Sequence, residues 1–269
     1  MEPESRRELK NLHQDAINME FCKAELEKAI IDPNEEIKED PIILEVKQND
    51  DYIPIFTLGN FSALIGQAKV RKSFLASMVF GTMAGHKQYM NLMPKIKGKC
   101  VYFDTEQGRY HVHLFAKRSL KIAGTDENMV IFSLRRYNTE QRIIMIEKVL
   151  YADDWSFAVI DGVRDLVTDI NNADQATRIS DLLLKWTAER NIHIMNIIHQ
   201  NKADQNARGH IGSEIVNKSE TVMSIKKDSI DKSKSIVSAE FMRGFHFEDF
   251  EIFIEDGLPK ILIDEKTPF

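Results

Sequence analysis

Cysteine is scarce in this sequence of 269 residues, and long apolar runs are missing from it. Only Cys22 and Cys100 occur, far apart in the chain, so we expect neither a disulfide framework nor a cysteine-bound metal. No stretch approaches the roughly 18 consecutive apolar residues that a membrane-spanning helix needs, and no apolar signal-peptide core follows the charged N-terminus. The sequence therefore predicts a soluble, cytoplasmic protein with reduced thiols and no membrane partner.

An excess of positive charge is also missing, because 36 lysines and arginines face 42 acidic residues and the formal net charge is −6. This balance excludes adhesion to nucleic acid over the whole surface, but it is compatible with a local basic groove. Hydrophobic residues make up 43% of the chain, which is enough for a sizeable core. The length suits one large domain with an appendage.

The first part of the chain has a different pattern from the rest. Its apolar residues recur at helical spacing and predict an amphipathic helix over residues 7–30: Leu9, Leu12, Met19, Leu26 and Ile30. The acidic, proline-punctuated stretch 35–54 predicts a linker or extended arm. The helix must bury its apolar stripe either on its own domain or on a neighbouring subunit, and both alternatives stay open. We therefore expect an N-terminal helical arm over residues 1–54 and a main domain over residues 55–269.

Short apolar strands alternate with helices through the first half of the main domain. The predicted strands cover residues 61–65, 100–103, 129–134, 157–160 and 193–198, and the predicted helices cover 72–84, 110–123, 140–151 and 173–190. This alternation indicates βαβ units, and hence an α/β fold with a mostly parallel sheet flanked by helices. Four strands without helices follow, at residues 221–225, 235–241, 250–254 and 260–263, and Asp256-Gly257 supplies a hairpin turn between the last two.

The segment after the first strand has the pattern of a phosphate-binding P-loop. It runs into the following helix as Gly66, Gln67, Ala68, Lys69, Val70, Arg71, Lys72, Ser73 and Phe74. In such a loop the backbone N–H groups and the helix N-terminus surround phosphates, Lys72 reaches the β- and γ-phosphates, and Ser73 holds Mg²⁺. Arg71 replaces the usual glycine, and its guanidinium points either to the phosphate or outward.

Acidic residues follow two other strands of the predicted sheet. Glu106 comes after the second strand, which we expect beside the P-loop strand, and its carboxylate is our candidate for the base that polarises the attacking water. Asp104, two residues earlier, is a candidate for a metal or structural role. Asp161 ends the fourth strand after an apolar run, as in a Walker B motif, and is expected to anchor Mg²⁺.

The fifth strand ends at His199-Gln200. In an open parallel sheet, ligands bind at the carboxyl ends of the strands, so these side chains should lie near the phosphates. Either His199 or Gln200 suits a γ-phosphate sensor that passes the presence of the phosphate to the following loop.

The ordered set Gly66–Ser73, Glu106, Asp161 and His199-Gln200 resembles the RecA/DnaB-type motor core. Within that group it is similar to the RepA-like hexameric helicases and to the RecA-like AAA ATPases of bacterial mobile elements. Residues 208–215 and 219–223 resemble the DnaB-family segment in which a Gly-Ser pair precedes an acidic, apolar stretch. Arg243 matches the arginine finger that ends a late strand, although the family's lysine two residues earlier is Phe241 here. The resemblance covers about residues 55–265.

The resemblance implies a RecA-like P-loop NTPase fold with ATP and Mg²⁺ as ligands. It also implies a homo-oligomeric ring such as a hexamer, with ATP between subunits and Arg243 completing the neighbour's catalytic site. Loops after the fourth and fifth strands would face a central channel, where Arg164, Lys202 and Arg208 are candidates to contact single-stranded nucleic acid. Arg135-Arg136, after the third strand, is a further basic pair near this edge.

Two functions from different classes remain. The first is a helicase or translocase in the replication or mobilisation of a genetic element, favoured by the loop cations and the candidate arginine finger. The second is a nucleotide-switched regulatory ATPase that acts through protein partners, favoured by Arg71 and by the acidic net charge. A small-molecule kinase is disfavoured, because no lid with several arginines is evident.

Overall fold

The computed structural model describes residues 19–20, 22–200, 207 and 209–262. The chain divides into two compact units, Met1–Glu39 and Asp40–Phe269. In the first unit residues 22–29 are helical, within the helix predicted over 7–30, whereas residues 7–18 of that prediction lie outside the described part. Among the described residues, no helix is long and apolar enough to cross a membrane.

The second unit contains twelve strands and five α-helices in its described part. The strands are β1 (Ile42–Gln48), β2 (Asp51–Thr57), β3 (Phe61–Gly66), β4 (Leu92–Pro94), β5 (Lys99–Asp104), β6 (Met129–Ser133), β7 (Trp155–Asp161), β8 (His193–His199), β9 (Thr221–Lys227), β10 (Ser235–Met242), β11 (Phe250–Glu255) and β12 (Leu258–Ile261). The α-helices are α1 (Lys72–Gly85), α2 (Arg109–Ala123), α3 (Thr139–Ala152), α4 (Ala173–Arg190) and α5 (Gly209–Lys218), and a short 3₁₀-helix spans Val163–Leu166.

Nine of these strands form one sheet in the order β12-β11-β10-β9-β3-β8-β7-β5-β6. The six strands from β9 to β6 are parallel, and β10, β11 and β12 continue the sheet as antiparallel hairpins. The predicted α/β fold with a mostly parallel sheet is therefore confirmed. The P-loop strand β3 lies between β8 and β9, so the expectation that it neighbours the strand before Glu106 is wrong. Strands β7 and β8 come later in the chain but insert between β3 and β5.

The stretch predicted as a linker is largely folded. Strand β1 and most of β2 lie within it, and β1 pairs with β2 on one side and β4 on the other. This three-stranded sheet buries apolar side chains in one cluster with α1, and its buried members include Ile43, Leu44, Val46 and Phe56. Helix α1 is consequently covered on both sides, which explains why it is apolar around its whole circumference. The linker prediction is wrong over residues 42–54, because apolar side chains outweigh the flanking charges.

Helix α5 was not predicted, because glycines punctuate its sequence and read as a loop. The helix buries Ile211 and Ile215 beside α4 in the cluster on the other face of the sheet. The C-terminal hairpin is as predicted: Asp256 (φ 52°) and Gly257 (φ 75°) are both left-handed, as a tight two-residue turn requires. Its last strand ends at Ile261, two residues before the predicted end.

Candidate nucleotide site

The P-loop joins β3 to α1 at the carboxyl edge of the parallel strands. Lys69 (φ 65°) and Arg71 (φ 73°) both take left-handed conformations, which turn backbone N–H groups toward a common concave side. A Cβ atom on Gly66 would lie 2.7 Å from the Ile225 carbonyl oxygen, so only glycine lets the loop start this close to β9. Strand pairing and loop geometry therefore shape a cradle for an anion at the start of α1.

The guanidinium of Arg71 points to the turn between β9 and β10. It donates hydrogen bonds to the Lys234 carbonyl (3.0 Å), the Ser235 hydroxyl (2.8 Å) and the Lys232 carbonyl (2.9 Å). Arginine thus keeps the left-handed backbone that glycine usually supplies, at a conformational cost of about 1–2 kcal/mol that these bonds offset. Of the two orientations that the sequence left open, the structure has the outward one.

Three predicted site residues come together in a chain of polar contacts. Lys72 Nζ donates to the carbonyls of Gly66 (2.6 Å) and Gln67 (2.7 Å) and lies 3.2 Å from His199 Nδ1. His199 Nε2 lies 3.0 Å from Glu106 Oε2. Because an ammonium group only donates, Nδ1 accepts, and the imidazole proton sits on Nε2 and is donated to Glu106.

Burial and charge set the protonation of these groups. Burial lowers the pKa of Lys72 to about 8, although the Asp161 and Glu106 carboxylates act in the opposite direction. The hydrogen bond from His199 lowers the pKa of Glu106, and the nearby charges of Lys72 and Arg164 add to this effect. Glu106 is therefore ionised near neutral pH. Arg164, which is exposed in the 3₁₀-helix after β7, is close enough for its charge to lower the pKa of Glu106.

Asp161 ends β7 as a buried carboxylate held on one oxygen. Its Oδ2 accepts hydrogen bonds from the Tyr102 hydroxyl (2.5 Å) and from Gln107 Nε2 (3.3 Å), and burial raises its pKa. Among the described residues Oδ1 accepts no hydrogen bond, so this oxygen is open to a ligand. Sequence reasoning missed Tyr102 and Gln107. Tyr102 lies within the apolar run of β5, so from the sequence it was indistinguishable from a core residue.

Asp104 has a structural role. Its Oδ1 accepts from the backbone N–H groups of Glu106 (3.1 Å) and Gln107 (2.6 Å), which fixes the turn that presents Glu106. Burial, together with the Asp161 charge, raises the pKa of Asp104 to about 7. A Cβ atom on Gly162 (φ 95°) would lie 2.3 Å from the Thr105 hydroxyl, so glycine is required where this turn meets the end of β7.

The other P-loop side chains have less contact with these acids. Phe74 faces α2, where the Arg118 guanidinium carbon lies 3.8 Å from its ring centroid. Gln67, Ala68 and Lys69 are exposed and Val70 is buried, whereas Ser73 is half-buried in the first turn of α1. The Gln200 side chain is buried, and its backbone N–H donates to the Gly66 carbonyl (3.1 Å), which ties the candidate sensor to the P-loop.

Arg243 lies at the opposite edge of the sheet. Its backbone N–H donates to the Glu220 carbonyl (3.0 Å), and its guanidinium lies 3.4 Å from Asn60 Oδ1, beside the amino ends of β3 and β9. Strand β3 separates this edge from the P-loop by roughly 16 Å. Arg243 is therefore not part of this chain's own nucleotide site. The loop candidates Lys202 and Arg208 lie outside the described residues.

A buried polar cluster around Glu220, beside Arg243, was missed from the sequence. Glu220 accepts from the Thr57 N–H (2.8 Å) and hydroxyl (2.6 Å), and its Oε1 lies 3.2 Å from Nδ1 of fully buried His193. Burial opposes ionisation of Glu220, but these contacts prevail and lower its pKa. Glu220 belongs to the stretch 219–223 that resembled a family motif. Its side chain therefore links β2 and β8 to the start of β9.

The residues present fit a magnesium ion held with nucleotide. In the described part of the chain, no group of three or more His, Cys, Asp or Glu side chains could hold a metal ion. Mg²⁺ does not need such a cage, since it keeps several waters and uses one or two carboxylates plus substrate phosphates. The open oxygen of Asp161 and the Ser73 hydroxyl at the P-loop are such ligands.

Comparison with known proteins agrees with this geometry. A family model described as an AAA domain matches residues 45–205. Among solved structures, the chain is similar to a KaiC-like protein from the hyperthermophilic archaeon Pyrococcus horikoshii OT3, with 15% identity and a TM-score of 0.57 over 77% of this chain and 91% of that chain. No curated protein matches the chain. The chain belongs to the AAA domain family and has the RecA-like fold of P-loop ATPases.

Proposed function

We propose that this protein hydrolyses ATP at the P-loop and uses the energy to act on single-stranded nucleic acid. The chain of contacts from Lys72 through His199 to Glu106 carries the proposal. It connects the residue that would bind the γ-phosphate with the residue that would activate water. This connection gives the protein a means of coupling phosphate binding to catalysis.

In the proposed reaction, residues 66–74 surround the phosphates. The ammonium group of Lys72 exchanges the carbonyls of Gly66 and Gln67 for phosphate oxygens, which carry full negative charge. This movement weakens its contact with His199, leaving His199 and Gln200 to respond to the γ-phosphate. Glu106, ionised and held in place by Asp104, accepts a hydrogen bond from the attacking water.

Mg²⁺, held by Ser73 and Asp161, would neutralise charge on the phosphates when bound. The protein's own contribution is the preorganised carboxylate. Tyr102 and Gln107 fix Asp161 at one oxygen and leave the other free, so no side chain must rearrange to admit the ion.

The nucleic-acid part of the proposal rests on the loops at the same edge. Arg164 is exposed and close to Glu106. Lys202 and Arg208 follow β8 in the sequence, and we propose that they contact the same strand. We further propose a homo-oligomeric ring such as a hexamer. Arg243 lies far from its own P-loop and would therefore serve the site of a neighbouring subunit. This motor would be a RepA- or DnaB-like helicase or translocase of a genetic element, in the cytoplasm.

One observation favours the alternative of a regulatory ATPase that acts through protein partners. Arg71 ties the P-loop to the β9–β10 turn by three hydrogen bonds, so nucleotide binding could be transmitted to that exposed turn without fast turnover. The acidic net charge of −6 also fits a protein partner better than a polyanion.

ATP hydrolysis with and without a single-stranded oligonucleotide, with the assembly mass measured in parallel, distinguishes the two functions. We expect the oligonucleotide to stimulate hydrolysis by an oligomer. Glu106→Gln should bind ATP normally but turn over at least about a hundredfold more slowly, because the amide cannot act as a base.

Glu127→Gln is the matched control, because it makes the same change on an exposed turn away from the site. Normal turnover by Glu106→Gln would exclude Glu106 as the base. A rate that is unaffected by the oligonucleotide, in a monomer or dimer, would support the regulatory alternative instead.

A further inference from the structure

An open pocket of about 820 Å³ lies at the β6 edge of the nine-stranded sheet, between β6, the start of α2 and the turn after β6. We call it the edge pocket and define it by Gln107, Arg109, His113, Arg135, Arg136 and Tyr137. Its size lies within the range of sites for small ligands. None of the residues that line it is acidic, and three are arginines, so the pocket carries a net positive charge.

The three arginines of the edge pocket have no counter-ion in the part of the chain that the structure describes. Within the described residues, none of their guanidinium groups forms an ion pair with a carboxylate. Other surface arginines do find partners, such as Arg178 with Glu140 and Arg190 with Asp154. Like charges that converge without an acid repel one another, and an anionic ligand would relieve that repulsion.

The pocket is also held in shape by neighbouring groups. Arg142 donates to the carbonyls of Leu134 (3.3 Å) and Arg135 (3.1 Å), which fixes the turn that carries the two consecutive arginines. A Cβ atom on Gly108 would lie 3.3 Å from an Arg135 nitrogen, so this guanidinium reaches over the loop at the start of α2. The cations are therefore presented from two sides of one cavity.

Aromatic surface accompanies the charge. The ring of Tyr137 lines the cavity, and the Arg136 guanidinium carbon lies 5.1 Å from its centroid. Arginine forks bind phosphate oxygens in pairs, and both guanidinium planes and tyrosine rings stack on flat bases. A phosphate next to a planar ring suits this combination better than a simple anion does.

We propose that the edge pocket binds a phosphate ester next to a planar base, as a site separate from the P-loop. The ligand is either a free mononucleotide or one nucleotide of a single strand. The strand form rests on the proposed function, whereas the mononucleotide form does not. Gln107 lines the pocket and also donates to Asp104 (2.9 Å) and Asp161 (3.3 Å), so a bound ligand adjoins a group that holds the nucleotide site.

Binding of two probes tests the proposal: dTMP, and a labelled ten-nucleotide oligo(dT). We compare Arg135→Ala/Arg136→Ala with Lys117→Ala/Lys121→Ala, which removes the same charge from exposed positions of α2 outside the pocket. The first variant should bind at least one probe about tenfold more weakly, and the second should match the wild type. For the oligonucleotide, the magnitude of the slope of log affinity against log salt should fall by about 1.4 in the first variant alone, since each phosphate contact with a single strand contributes about 0.7.

A second pair of variants adds one negative charge without removing an arginine. His113→Glu puts a carboxylate in the edge pocket, and His111→Glu puts one on the exposed surface of the same helix outside it. Only His113→Glu should weaken binding. Loss of dTMP binding identifies a mononucleotide site, and loss of oligonucleotide binding alone identifies a strand site.

The proposal is overturned if neither probe binds the wild type, or if pocket and control variants bind equally. Stimulation of ATP hydrolysis by oligonucleotide that persists in the pocket variants would leave the proposed motor function intact. Failure of the edge pocket is thus distinguishable from failure of the proposed function.

Discussion

The charge of Lys72 makes nucleotide binding sensitive to alkaline pH. Its pKa is lowered to about 8 by burial, so the ammonium is charged at pH 7 and becomes neutral as the pH rises above 8. Phosphate binding needs the charged form. Affinity for a non-hydrolysable ATP analogue should therefore be constant below pH 7.5 and fall by up to about tenfold per unit above 8.

The measurement is a titration of analogue binding between pH 7 and 9.5. Lys72→Arg is the control, because its guanidinium stays charged throughout this range, so its affinity should not follow the same curve. A wild-type affinity that stays constant to pH 9.5 would show that Lys72 keeps its proton, and hence that burial does not lower its pKa.

Several site residues could be found from their positions at strand ends, since carboxyl ends of parallel strands meet at one edge. Lys72, Glu106 and His199 come together there as the spacing suggested, although their catalytic roles stay predictions. Tyr102 and Gln107 were missed because their partner, Asp161, lies far away in sequence. Tertiary hydrogen bonds of this kind leave no local pattern.

At the scale of elements, the P-loop is fastened to the β9–β10 hairpin through Arg71. Arg71→Ala loses three hydrogen bonds and keeps an unfavourable left-handed residue, so we expect a loss of about 2–3 kcal/mol in the free energy of unfolding. Arg71→Gly loses the same bonds but relieves the backbone, and should be about 1 kcal/mol more stable than the alanine variant. Urea unfolding measures both values.

Lys69 provides the matched control. It is left-handed in the same loop, but its exposed side chain makes no hydrogen bond or ion pair in the described part of the protein. Lys69→Gly should therefore be neutral or slightly stabilising. If Arg71→Gly changed the free energy of unfolding by the same amount as Lys69→Gly, the hydrogen bonds to the hairpin would contribute nothing.

The elements that sequence predicted well are those whose apolar pattern is long or repeated, namely β3, the strands from β5 to β11 and the helices from α1 to α4, whereas the three-residue strand β4 was missed. Strands β1 and β2 were missed because charged residues flank short apolar groups, and the pairing of β1 with β2 on one side and with β4 on the other fixes them instead. The sequence of helix α1 could have predicted a second covering layer, because a helix that is apolar on every side must be covered on every side. Helix α5 was missed because packing overrides the low helix propensity of its glycines.

At the scale of the whole molecule, the distance between Arg243 and its own P-loop makes assembly testable. If Arg243 completes a neighbour's site, each interface needs an intact P-loop from one subunit and an intact Arg243 from the next. Lys72→Ala and Arg243→Ala should each abolish most turnover when alone. An equal mixture restores both parts at about a quarter of the interfaces, so about a quarter of wild-type ATP hydrolysis should return.

Native mass spectrometry of the mixture must first show that the two variants share assemblies. The control mixes Lys72→Ala with Glu106→Gln, whose lesions both lie in the site of one subunit, so no interface is repaired and no activity should return. Recovery in both mixtures would mean that the P-loop and Glu106 come from different subunits. No recovery in the first mixture, despite shared assemblies, would show that Arg243 does not complete a neighbour's catalytic site. Its role would then be structural, through its contacts at the amino edge of the sheet.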